Sequence, residues 1–333
     1  MRHLLEKTIL ISFILLLLLL GLRSFTLNFD QQKVVYGVSF DPLYAAYLGF
    51  NAEEVMDNIL NDLKVDHLRL TAYWNRIEKE PGAYDWAEMD WQMNKTRAAG
   101  AKVILTVGRK LPRWPECYEP AWLSQATTAN QQAALFKMIT ATVARYKNYP
   151  NLTAWQVENE PLVGWFGVCP APDKNSLKQE IALVKSLDDR PVILTDSGEL
   201  GAWYNTAKFA DIFGTTIYRV VANETYGFWR WPLPAAYYHY KAAIISWLTG
   251  GRQIIVTELQ AEPWIASSAA IQDYPLLEQY KSMSLGQFKS NILYARAAGF
   301  DEIYLWGVEW WYWLKETKNT PEFWDEARLL WIK

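Results

Sequence analysis

Two glutamates in the chain could work as an acid–base pair. Glu160 stands in Trp155-Gln156-Val157-Glu158-Asn159-Glu160-Pro161, and Glu258 closes Val256-Thr257-Glu258 ninety-eight positions later. Each ends a short apolar run. Two carboxyls facing each other across a cleft can cut a glycosidic bond if one is protonated and the other ionised. The first donates to the leaving oxygen; the second attacks the anomeric carbon or activates water. A like charge nearby raises one pKa and so separates the roles. Other chemistries are poorly supplied. The histidines are His3, His67 and His239, and there are two cysteines. That disfavours a His-based metal centre and a Cys-rich zinc module, so no metal or cofactor is expected.

These residues need elements that bring them together. Eight β-branched, apolar runs recur along the chain: Val34–Phe40, His67–Thr71, Lys102–Val107, Leu152–Val157, Pro191–Thr195, Ile212–Tyr218, Gln253–Thr257 and Glu302–Trp306. Helix-like stretches lie between most of them, among them Ala52–Leu63, Asp90–Ala99, Asn130–Tyr146 and Leu276–Ala298, and Pro321–Ile332 reads as a closing helix. Near-continuous apolar runs suit a parallel sheet buried on both faces. Eight strand–helix units of roughly 38 residues predict a single-domain (β/α)8 barrel over residues 34–333. An open doubly wound sheet fits less well, because the turn after Phe40 has no G-x-G-x-x-G. In a barrel the chemistry sits at the carboxyl ends of the strands. Those ends carry Arg69, Glu160, Asp196, Tyr218, Glu258 and Trp306.

The pattern resembles clan A of the retaining glycoside hydrolases, the (β/α)8 group that includes cellulases, mannanases, β-xylosidases and β-galactosidases. Asn159-Glu160-Pro161 matches the end of that clan's fourth strand and Thr257-Glu258 the end of its seventh. The stretch Trp74-Asn75-Arg76-Ile77-Glu78, followed by Pro81-Gly82-Ala83-Tyr84-Asp85-Trp86, also resembles a pattern seen after strand two in several member families. The resemblance implies Glu160 as acid/base and Glu258 as nucleophile. It implies Asn159 on the sugar 2-hydroxyl, Tyr218 on the nucleophile, Trp306 beneath the reacting sugar and Arg69 keeping Glu258 ionised. Many members carry a histidine beside these positions. Here none ends a strand, which leaves the member family and the sugar open.

The remaining residues bound the function further. With 33 basic and 36 acidic residues the net charge is −3, which gives no attraction for nucleic acid. The chain has 18 tryptophans, and aromatic faces stack on sugar rings. Trp114, Trp165, Trp203 and Trp264 fall in loops after strands, and at least one is expected to line the cleft. Glu158 reads as structural, Glu262 as a solvated loop charge or an outer-sugar contact, Glu309 as a candidate substrate contact and Asp196 as a cap. Thr8–Leu22 is uncharged and apolar, flanked by Lys7 and Arg23. It reads as a signal-anchor within residues 1–23, followed by a linker over 24–33, with the barrel outside the cytoplasm. There Cys117 and Cys169 can pair or stay free. The expected partners are an oligo- or polysaccharide substrate and, through the N-terminal helix, a membrane. A membrane-anchored retaining glycosidase acting on a β-linked glycan is the leading expectation. A non-catalytic carbohydrate-binding barrel and a transglycosylase of surface polysaccharide are the alternatives.

Overall fold

The computed structural model describes residues 33–265 and 270–332. The expected anchor and all but the last residue of the expected linker lie outside them. No helix among the described residues is long and apolar enough to cross a membrane.

All eight expected strands form: β1 (Val35–Ser39), β2 (His67–Thr71), β3 (Lys102–Val107), β4 (Leu152–Val157), β5 (Val192–Asp196), β6 (Ile212–Ile217), β7 (Gln253–Gln260) and β8 (Glu302–Trp306). They pair in parallel and in sequence order, and β1 pairs with β8, so the sheet closes into a barrel. Side chains alternate between two cores. A small one, of Ile104, Ala154, Ile193, Ile255 and Tyr304, fills the barrel. The large one joins their strand neighbours, such as Val103, Leu105, Trp155 and Val256, to the surrounding helices. Gly37 makes room for Tyr304, since a Cβ there would stand 2.6 Å from the tyrosine ring. Burying apolar residues on both faces is what holds a parallel sheet closed.

Three departures from the expected pattern bear on the site. The predicted helix over Leu276–Ala298 is two helices, Leu276–Ser282 and Leu285–Ala297. Ser284 breaks it by capping the second, accepting from the Gln287 amide. A hairpin, Val220–Asn223 with Gly227–Arg230, rises after β6. Its turn is held by the Asn223 side chain, which accepts from the amides of Thr225 and Tyr226. The tryptophans serve mainly in packing: Trp74, Trp155, Trp203, Trp310, Trp311, Trp313 and Trp324 are fully buried. Trp310 and Trp311 lie on the helix Val308–Lys318 and donate their indole N–H to Gln279 and to the Ala261 carbonyl. A buried indole needs such a partner.

Candidate active site

A pocket of about 400 Å³ opens at the carboxyl ends of the strands. Asn159, Glu160, Tyr218, Glu258 and Trp306 all line it. Arg69 does not. It is 1% exposed and lies beneath the floor of the pocket, touching Glu258 from the barrel interior.

Glu258 reaches the pocket because β7 carries a bulge. Thr215 of β6 pairs with Val256, but the next residue, Thr216, pairs with Glu258, so Thr257 is an extra residue in the ladder. A bulge shifts the alternation by one and re-aims the side chains beyond it. Val256 packs outward with the helices, and Glu258 turns inward. Its Oε1 accepts from the Arg69 guanidinium at 2.8 Å, and its Oε2 from the Tyr218 hydroxyl at 2.8 Å. The same guanidinium donates to Gln156 at 2.7 Å and to Asn159 at 2.9 Å. One buried cation therefore ties the ends of β2, β4 and β7 together.

Glu160 is placed by a different device. Glu158 and Glu160 both take left-handed backbone conformations, with φ of 60° and 44°. Non-glycine residues rarely do so, and strain of this kind collects at functional sites. The resulting bend sends the two side chains apart. Glu158 turns away from the pocket and accepts from the amides of Arg109 and Lys110. Gly108 keeps space for it, since a Cβ there would come within 2.4 Å of its carboxylate. Glu160 turns into the pocket, anchored by its own amide donating to Thr195 at 2.7 Å. Among the described residues no side chain donates to its carboxyl. Burial raises its pKa well above the usual carboxylate range, and the charges of Glu258 and Glu116 push it further. Both effects favour the protonated form of Glu160, the form that can donate.

Three charged pocket residues escaped the sequence reading. Glu116 is buried next to Asn159, 3.1 Å from the Lys110 ammonium, yet burial outweighs that cation and lifts its pKa to about 7. Glu199 is likewise lifted to about 7 by burial; it accepts from the Tyr218 amide at 2.7 Å and the Tyr238 hydroxyl at 2.6 Å. Arg113 pairs with Asp41 and Glu262, each at 3.0 Å. All three lie in loops several residues beyond a strand end, where no short motif marks them. The signal that could have found Arg113 and Glu116 is their closeness to Cys117. That cysteine is bonded to Cys169, which ties the loop after β3 to the loop after β4.

The remaining candidates sort by burial. Glu262 is not a solvated loop charge: it is buried, lines the pocket and is held by Arg113. Glu309 is 1% exposed and accepts from the Asp41 amide at 2.6 Å behind the pocket wall, so it has no path to a substrate. Asp196 accepts from Ser197, Trp203 and Thr206 and organises the loop after β5. Of the four loop tryptophans, Trp114, Trp165 and Trp264 line the pocket, joined by Trp231 beyond the hairpin. Trp203 is buried instead, its indole donating to the Ser197 carbonyl. Among the described residues no group of acids, histidines or cysteines could hold a metal ion.

No family model matches the chain, and no curated protein is similar to it. Solved structures are similar in fold. Xylanase 10B from Thermotoga maritima superposes with a TM-score of 0.58 at 16% identity, over 89% of this chain and 95% of that one. A family 39 glycoside hydrolase from Bacteroides cellulosilyticus WH2 gives 0.52 at 16%, over 84% and 57%. A β-galactosidase from Marinomonas ef1 gives 0.55 at 12%, over 81% of this chain. This chain spans about half, 53%, of that β-galactosidase. At 12–16% identity these likenesses, with the closed eight-stranded sheet, establish the fold as a (β/α)8 barrel.

Proposed function

We propose that the protein is a retaining glycoside hydrolase that acts on a β-linked glycan by double displacement. The observation that carries this reading is the opposite treatment of two carboxyls in one pocket. Glu258 is held by a guanidinium and a phenol, while Glu160 has no side-chain donor and burial and like charges raise its pKa. Glu258 attacks the anomeric carbon as Glu160 protonates the departing oxygen, giving a glycosyl-enzyme. Glu160, now a carboxylate, takes a proton from water. That water displaces Glu258 and releases the sugar with its anomeric configuration kept. Asn159, fixed by Arg69, offers its amide N–H to the pocket as the contact for the sugar 2-hydroxyl, and Trp306 forms the face beneath the ring. Arg69 touches no substrate and acts by holding Glu258 in place.

The apolar run Thr8–Leu22 and the Cys117–Cys169 bond support a membrane-anchored placement outside the cytoplasm, where a disulfide persists. Purified protein incubated with aryl β-glucoside, galactoside, mannoside and xyloside should release the β-sugar first, as seen by NMR of the nascent product. An α-sugar as first product would sink double displacement, and binding without turnover would favour the carbohydrate-binding alternative.

A further inference from the structure

The pocket is closed on one side of the barrel. Its walls come from the segments after β3 through β8, and nothing after β1 or β2 lines it. On that side stands Arg113. Its guanidinium lies 3.6 Å from the centroid of Tyr44 and 4.5 Å from that of Trp306. Asp41 and Glu262 pair with it at 3.0 Å and Glu309 faces it at 3.8 Å. The cluster joins the segments after β1, β3, β7 and β8. Behind it remains a void of about 10 Å³, lined by Thr71 and Tyr73 among others. That is room for one water at most. Elsewhere the rim is aromatic, with Trp114 and Trp165 each 60% exposed.

Resting on the double-displacement reading, the sugar to be transferred lies over Trp306, the ring that Arg113 itself touches. We infer that Arg113 and its carboxylate clamp end the pocket one sugar beyond the point of cleavage, so that the enzyme removes single neutral sugars from the non-reducing end of a β-linked chain. A longer glycone would have to displace the Arg113 guanidinium from two carboxylates and two aromatic rings. An acidic sugar gains nothing from this cation, whose charge three carboxylates already face. The rest of the chain leaves past Glu160 along Trp165.

The test compares p-nitrophenyl β-glucoside, galactoside, mannoside and xyloside with the β-cellobioside, lactoside, mannobioside and xylobioside. The expected result is immediate nitrophenol from a monoside. From a matching bioside a monosaccharide comes first, and nitrophenol appears only after a lag. Disaccharide and nitrophenol appearing together from the start would overturn the inference and leave the glycosidase reading standing. Inertness of all eight compounds would remove that reading and the inference with it. Glu262→Ala, which loosens the clamp but leaves Asp41 and Glu309 on Arg113, should raise early disaccharide relative to monosaccharide by about tenfold. An unchanged ratio in the folded variant would overturn the clamp's role. If the variant does not fold, the order of products from the unaltered protein still decides.

Discussion

The ends of β4 and β7 each present one glutamate to the same pocket, and the chain treats the two in opposite ways. At the end of β7 a bulge aims Glu258 at a buried guanidinium and a tyrosine hydroxyl. At the end of β4 two left-handed residues swing Glu160 into the pocket, beside like charges and away from side-chain donors. Identical side chains thus acquire different chemistry from what faces them. A carboxyl with a cation and a hydroxyl on its two oxygens is held in one orientation, from which it can attack. A carboxyl denied both is kept as an acid that can give up a proton.

The strongest way to break this contrast is to neutralise each acid in turn. Glu258→Gln should lower kcat/KM by about 10⁴-fold or more, whatever the leaving group, because the attacking atom is gone. Glu160→Gln should cost about 10²–10⁴-fold with sugar leaving groups. It should cost far less with nitrophenolate, which departs without a proton. Equal losses across a leaving-group series would mean that the two acids are not divided in this way.

A smaller change sharpens the β7 side. Tyr218→Phe removes one hydrogen bond to a charged group, worth about 1.5–3 kcal/mol, and should reduce turnover by about 10–100-fold with the fold intact. Normal kcat in this variant would mean that the contact from Arg69 is enough to position Glu258.

The smallest effect probes the β4 side through pH. Glu116 carries charge mainly above about pH 7, and that charge helps hold the Glu160 proton. A general acid works while protonated, so activity is present below its pKa and is lost as pH rises through it. In Glu116→Gln the like charge is absent, and the Glu160 pKa comes down. The alkaline limb of the kcat/KM profile should therefore move to lower pH. A limb that stays put, or moves up, would show that Glu116 does not act on Glu160.

Much of the barrel was legible along the chain. The boundaries of β2, β3, β4 and β8 match the apolar runs residue for residue, because an apolar segment bounded by polar turns is a local signal. The residues at the strand ends were legible for the same reason: once a strand's end is known, the side chain at the mouth of the barrel is known. The high tryptophan content was less informative, since an indole serves equally as core and as sugar platform. Trp203 and Trp165 look alike in sequence, and one is sealed while the other is exposed.

Sequence alone determined which residues stand where strands give way to loops, and that two of them are acids three repeating units apart. Only the tertiary structure decided which way those acids point and what meets them. The bulge at Thr257 and the bend at Glu158–Glu160 are one-residue changes of backbone that no side-chain pattern announces. The partners that set the charges come from far along the chain: Arg69 is 189 positions from Glu258, and Asp41 is 268 from Glu309. Electrostatic fate depends on distance in space and on exclusion of water, and both arise only when the sheet has closed.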